Sequence, residues 1–401
     1  MVNSHLRIPL VAICVFLLFC PLVAFGGEAP EIEWSKILGG PSYNELYSIE
    51  QTTDGGYIMA GSTYSKLSEK GYGWLVKTNS KGVMEWEKNT LGFNGDNINS
   101  VQETTDGGYI LAGEGNVSAA GLGRRGDYNV SARLIKTDSK GVVEWNITRP
   151  NCTLSSVQQA SDGGYVAAGE NKFAGGWLIK IDSKGATEWE RIFGSPDYLS
   201  QIQQTKDGGY IGVGGCLNYT WLVKTDSMGV RDWEKSFSKS DLRLDFISLS
   251  SVQETTDGGY IAAGISEEYP SMGRSVDVLL LIKTDSKGVL EWEKTFKGGV
   301  SDVSVEQTTD GGYIIATTDS EYITAGSQGE KDADWLFKGW LIKTDSSGAK
   351  EWQKIFYGPH SCNLKSVKQT ADGGYISVGG KQMEKAGEWN GLLIKLKGQN
   401  R

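Results

Sequence analysis

The sequence predicts an all-β fold built from tandem four-stranded antiparallel units, and three observations carry that prediction. The phrase Asp-Gly-Gly-Tyr occurs seven times, beginning at Asp54, Asp106, Asp162, Asp207, Asp257, Asp310 and Asp372. Each copy lies in a unit of roughly 45–60 residues, the spacing of a repeat architecture. Beyond the N-terminal segment no stretch keeps a 3.6-residue apolar period; short β-branched and aromatic runs alternate with turn residues instead.

Each unit reads as four strands, a to d. Strand a is Ser-Val-Gln-Gln or a variant, as at Ser156–Gln159. Asp-Gly-Gly follows as a tight hairpin, because glycine accepts positive φ without a Cβ clash. Strand b is Tyr-Ile-x-Ala-Gly, as at Tyr109–Gly113, and ends in small residues, which suits a crowded centre. After a variable segment, strand c ends in Ile-Lys-Thr, as at Ile342–Thr344. Asp-Ser-Lys-Gly makes the second turn, and strand d is Val-x-Glu-Trp, as at Val289–Trp292.

One polar four-stranded sheet cannot bury enough surface to stand alone, so the units must stack. Repeated four-stranded units imply blades around an axis, a β-propeller. Strand d supplies one tryptophan per unit (Trp34, Trp86, Trp145, Trp189, Trp233, Trp292 and Trp352), placed to dock between blades at the perimeter. The chain is also out of phase: residues 31–37 read as a lone d strand, and 392–396 as a c strand without its d. The predicted fold is therefore a seven-bladed propeller closed by the N-terminal strand joining the last blade, which removes two sheet edges. The blades span 47–89, 99–149, 155–193, 200–237, 250–297, 303–357, and 365–396 with 32–38, within one domain of residues 31–397.

The stretch Leu134–Trp145, Leu-Ile-Lys-Thr-Asp-Ser-Lys-Gly-Val-Val-Glu-Trp, resembles the strand–turn–strand of quinoprotein-type propellers with tryptophan docking. The full unit is more similar still to the secreted seven-bladed beta-propeller repeat family of bacterial and archaeal surface proteins. That resemblance implies a fold over about residues 31–397 and an exported setting; it implies little about activity, since one fold hosts many functions.

Residues 8–25 are nearly all apolar and follow Arg7, so residues 1–26 read as a signal peptide or, uncleaved, a membrane anchor. A secreted or cell-surface location is the expectation. Five sequons, at Asn116, Asn129, Asn146, Asn151 and Asn218, suit an exported glycoprotein. Net charge is −9, and removing residues 1–26 takes away Arg7 alone, giving 39 − 49 = −10. Charge recurs in fixed slots with no basic face, so nucleic acid is not an expected partner.

Catalytic equipment is sparse. The histidines are His5 and His360, and Cys152, Cys216 and Cys362 are scattered over different units, without metal-ligand spacing. The repeated aspartates supply one carboxylate per turn and read as turn stabilisers rather than calcium ligands. No catalytic residue, metal or cofactor is assigned. One strand-a slot holds Glu50, Gln102, Gln158, Gln203, Gln253, Glu306 and Lys368, with Gln51, Glu103, Gln159, Gln204, Glu254, Gln307 and Gln369 beside it. Strand a is innermost in a propeller, so these columns are expected to line a channel and bond between blades.

Residues outside the repeat slots are the candidates for function. The a–b and c–d turns share one uniform face; the b–c and d–a loops share the other and vary, longest at 114–131, 266–277 and 319–337. Variable loops on a rigid scaffold are where binding surfaces are usually placed. Trp335 and Trp389 are assigned to such loops, with Tyr322, Glu267, Glu268, Tyr269 and His360 nearby. Glycans on repeats 2 to 4 would shift binding toward repeats 5, 6, 7 and 1. The expected function is a surface binding or scaffold module for a glycan or surface protein. A polysaccharide hydrolase or lyase, a quinone-dependent dehydrogenase and a purely structural coat component are the alternatives.

Overall fold

The computed structural model describes residues 27–398, apart from 42, 66–69, 90–96, 117–129, 195–197, 217–218, 239–246, 269–275, 299, 323–334, 358–359 and 385–387. Among the described residues every regular element is a β-strand, and no helix is long and apolar enough to cross a membrane.

The sheets are repeated four-stranded antiparallel blades. Five stand separately, the second formed by Cys152–Gln159, Tyr165–Asn171, Gly175–Ile181 and Thr187–Ile192 in sequential order. The remaining eight strands form one sheet of two such groups, joined only where Tyr43 meets Trp389 in a parallel bridge. In it the first strand, Ile32–Leu38, pairs antiparallel with the last, Trp389–Leu396, setting Lys36 opposite Leu393.

Apolar residues of each blade pack on the next. One cluster joins Ile110, Ala112 and Leu134 to Leu154, Tyr165 and Ile179 of the following repeat. Another joins Ile376, Val378 and Leu393 to Leu46, Tyr57 and Val76, bringing the last repeat against the first.

In the Asp-Gly-Gly turn the two glycines meet different needs, and only the first takes a positive φ. Gly55 takes φ +81°, whereas Gly56 is needed for space: a Cβ there would strike the Thr78 carbonyl and lie 2.6 Å from Lys77 Nζ. That lysine is the turn's partner. Lys77, buried at the end of strand c, reaches Asp54 at 2.8 Å, and the same pair recurs as Lys136–Asp106, Lys180–Asp162, Lys224–Asp207, Lys283–Asp257, Lys343–Asp310 and Lys395–Asp372. Burial opposes ionisation of Asp54, but hydrogen bonds from Lys77, Thr52 and the Gly56 N–H outweigh it and bring the carboxyl down to about 2. Each aspartate thus closes its turn and neutralises a buried ammonium, which a lone buried cation requires.

The small end of strand b has a different cause from crowding at the centre. Strand a bulges between Leu46 and Ser48, and the Glu45 carbonyl presses on Gly61 where a Cβ would stand. The same contact recurs at Gly113, Gly169, Gly214, Gly264 and Gly379.

The d-strand tryptophans sit between repeats, each against the tyrosine of the next: Trp34–Tyr57 at 6.0 Å, Trp145–Tyr165 at 5.7 Å and Trp352–Tyr375 at 5.6 Å are examples. Their rings also cover the turn glycine of the next repeat, as Trp34 covers Gly82. Most of the d-strand rings are half-buried, and the fully buried rings are those opening strand c, such as Trp74, Trp177 and Trp221.

Candidate functional site

Strand a of every repeat contributes to a central cavity of about 170 Å³, lined by Glu50, Gln102, Gln158, Gln203, Gln253 and Lys368 among others. Its polar columns are consumed by bonds between repeats. In the outer column, side-chain oxygens take a turn N–H from the preceding repeat: Glu103 from Thr53, Gln159 from Thr105, Gln204 from Ser161, Glu254 from Lys206, Gln307 from Thr256 and Gln369 from Thr309. Gln51 takes the Ala371 N–H at 2.9 Å, linking last repeat to first.

The inner column runs the other way. Glu50 accepts the Glu103 N–H at 2.6 Å, and Gln102, Gln158, Gln203, Gln253 and Glu306 accept from Gln159, Gln204, Glu254, Gln307 and Gln369. The seventh member, Lys368, has no lone pair to offer the Gln51 N–H. It pairs with Glu306 at 3.0 Å, and Glu306 and Glu50 hold its ammonium above the ordinary lysine range. Burial pushes the Glu50 carboxyl up to about 7, against the Glu103 N–H and Lys368.

Departures from the repeat pattern collect at the other end of the same strands, in repeats 6, 7 and 1. Asp302 occupies the slot of Leu46, Ile98, Leu154, Leu199, Leu249 and Leu364. Its backbone flips to φ +50°, Val303 turns into the core instead, and the Asp302 carboxylate meets Lys365 at 2.6 Å. Lys365 also faces buried Glu45 at 3.5 Å. Burial opposes the Lys365 charge, but Asp302 and Glu45 raise it overall. Glu45 takes hydrogen bonds from Tyr43 (2.8 Å) and Asn363 (2.6 Å), and Tyr47 shares one with Ser62. Burial, then Glu45, push the Tyr43 phenol well up. Two acid–lysine–acid rows thus lie three to five residues apart along the strands: Asp302–Lys365–Glu45 at the loop end and Glu306–Lys368–Glu50 at the cavity.

Beside them Tyr43 stacks on Trp389, centroids 6.2 Å apart and planes within 15°. Tyr43 remains 42% exposed. Asn44 and Asn390 amides pair at 3.0 Å beneath. Sequence reasoning singled out Trp389 but not Tyr43, Glu45, Tyr47, Asp302 or Lys365; comparing the slot before each bulge across repeats would have found Asp302, the one polar residue there.

Several sequence assignments need correction. Trp335 and Tyr322 are strand residues, cross-strand partners in the hairpin of Tyr313–Tyr322 and Trp335–Thr344, not loop residues. Trp389 likewise opens strand Trp389–Leu396, opposite Gln382. Glu267 and Glu268 end strand Tyr260–Glu268, opposite Asp277 and Val276, and Glu268 accepts from Thr295. These hairpins run further because continuing the ladder pairs their backbone groups. His360 is half-buried in the bend before strand Cys362–Gln369, and Tyr269 lies outside the described residues. Of the sequons, Asn116 ends strand Tyr109–Asn116 rather than lying on a loop, and Asn146 is exposed on strand Val143–Pro150. Asn151 is a half-buried turn residue at φ +59°, while Asn129 and Asn218 lie outside the described residues.

No protein-family model and no curated protein matches the chain. Solved structures do. The chain is similar to a Dos1 propeller at 9% identity, covering 92% of this chain and 95% of that one, with a TM-score of 0.55. It is similar to streptogramin B lyase at 10% identity, covering 91% and 98%, TM-score 0.53. A protein of unknown function from Dyadobacter fermentans matches at 11% identity, covering 92% and 99%, TM-score 0.53. At such identities the likeness speaks to fold alone, and what this chain shares with them is the β-propeller.

Proposed function

We propose that this chain is an exported seven-bladed propeller, closed by Ile32–Leu38 completing the last blade, that displays a binding surface on its b–c and d–a loop face. The antiparallel pairing of Lys36 with Leu393 and the Ala371–Gln51 bond support closure. The secreted beta-propeller repeat family of surface proteins is the setting this reading implies, with residues 1–26 as signal or anchor.

One observation carries the functional part. The polar slots that recur in every repeat are spent on internal bonds, whereas the non-repeat groups Tyr43, Glu45, Tyr47, Asp302, Lys365 and Trp389 gather at one end of three neighbouring repeats. An exposed ring backed by a second ring, with hydrogen-bonding groups alongside, matches the contact chemistry of a glycan or of a protein loop. Trp335, Tyr322, Glu267, Glu268 and His360 come from the loop-side ends of their repeats, and we propose that they extend that surface.

The test is a glycan and protein array probed with residues 27–401. A binder lost in Tyr43→Ala and Trp389→Ala, with thermal stability retained, supports the reading. A binder indifferent to both substitutions, or no binder, counts against it.

A second reading, a polysaccharide hydrolase or lyase, has one specific observation behind it: phenols, an ammonium and carboxylates converge at that same end. Product release from uronate-containing polysaccharides, abolished by Glu45→Gln, would favour it over simple binding.

A further inference from the structure

The inner column breaks at one junction, and the break has a defined chemistry. At six junctions a side-chain oxygen sits 2.6–3.1 Å from the N–H of the next repeat. At the seventh that slot holds Lys368, which can only donate, so it gives the Gln51 N–H no side-chain oxygen. A ligand oxygen seated where Gln Oε1 lies elsewhere would accept from both.

Lys368 is reachable from the cavity: its side chain is 44% exposed although it lies deep among the inner strands. Glu306 flanks it at 3.0 Å, and Glu50 flanks it on the first repeat. Above about pH 7, where Glu50 is ionised, a plain anion meets both carboxylates and is repelled. A ligand bringing a cation beside its anion satisfies the ammonium, the orphaned N–H and Glu50 together. The remaining wall is neutral, made of Ser100, Gln102, Ser156, Gln158, Gln203 and Gln253.

We propose that the central cavity binds a small zwitterion of the α-amino-acid type, with its carboxylate on Lys368 and the Gln51 N–H and its ammonium on Glu50. Size agrees. One water needs about 10–15 Å³ of such space, so a cavity of about 170 Å³ has ample room for a small molecule. The proposal concerns the cavity and not the loop face, so array results leave it untouched.

The experiment is calorimetric titration of residues 27–401 at pH 8, where Glu50 is ionised, with glycine and L-alanine, using acetate and methylammonium as single-charge probes. Lys368→Gln is the informative variant, because Gln supplies the missing oxygen to Gln51 and keeps the column intact. Glycine or alanine should bind the parent protein, and at least roughly tenfold more weakly in Lys368→Gln and Glu50→Gln, the loss of a charge-assisted contact. Acetate and methylammonium should each bind more weakly than glycine. No binding of either amino acid, acetate matching glycine, or full affinity in Lys368→Gln would overturn the proposal.

Discussion

Thr317 donates its hydroxyl to the Ser301 carbonyl at 3.0 Å, in the one repeat where strand b carries threonine in place of glycine. The other repeats need that glycine because a strand-a carbonyl presses on it. With Thr317 there, strand a shifts register between Ser301 and Ser304, and Asp302 adopts φ +50°. Strain held at one repeat, next to a charged cluster, is the pattern of a site retained for use rather than stability.

Restoring the repeat pattern should therefore stabilise the fold. Asp302→Leu with Thr317→Gly is expected to gain about 1–3 kcal/mol, the cost of such a backbone conformer. Urea unfolding measures it. Binding at the loop face should weaken in the same variant, since Lys365 loses Asp302 and keeps only Glu45. An unchanged or lower stability would mean that the bend carries no strain.

The turn aspartate and the strand-c lysine are unequal partners. Lys136 is buried, whereas Asp106 is more than half exposed. Asp106→Ala leaves a buried ammonium with only Glu144 and a carbonyl, while Lys136→Met leaves a carboxylate that water solvates. Asp106→Ala should cost about 2–4 kcal/mol and Lys136→Met clearly less. The pH dependence follows the same chemistry. Burial opposes ionisation of Asp106, Asp207, Asp257 and Asp310, yet their Thr, Gly N–H and Lys bonds bring each to about 2. A carboxyl depressed in the folded state stabilises above its unfolded pKa near 4, and that contribution is lost as pH falls from about 4 to 2. Thermal melts over that window should show the loss, and the slope should shrink in Asp106→Ala.

Glu50 behaves oppositely. Burial raises it to about 7, so the folded chain holds a proton that the unfolded chain releases near 4.5. Its contribution is full below about 4.5 and fades as pH rises to about 7. Glu50→Gln keeps the acceptor for the Glu103 N–H without the buried charge. The variant should be more stable than the parent by roughly 1–3 kcal/mol at pH 8 and nearly equal to it at pH 4.5. A pH-independent difference would contradict this.

The two tryptophan sets should separate in unfolding experiments. Trp177 is fully buried and donates to Glu190, so Trp177→Ala should cost about 3–5 kcal/mol. Trp145 is half-buried over Tyr165 and should cost about half as much when replaced by alanine. Equal losses would mean that the d-strand rings bear more of the core than their burial indicates.

The blade was legible because its signals are local and repeated. Turn residues, alternation and seven in-phase phrases fixed four strands per unit, and the phase of residues 31–37 pointed to their pairing with the last strand. The lysine–aspartate pair was missed although seven of each stood in register, because its members lie 17 to 33 residues apart and meet only across the blade. The site was half-legible. Trp389 stood out as an extra tryptophan, but Glu45 and Lys365 come from opposite ends of the chain and meet only in three dimensions. Hairpin extent was misjudged, since polar strand tips such as Glu267 and Glu268 read as loop when only composition is counted.

The central claim is that the two ends of the chain share one blade, where the Lys397 N–H meets the Glu31 carbonyl at 3.0 Å. Spin labels at Glu31→Cys and Lys397→Cys, with Cys152, Cys216 and Cys362 replaced by serine, measure this most directly. The account predicts a single narrow, short distance that disappears cooperatively with global unfolding. A broad or long distance distribution in the folded protein would contradict it.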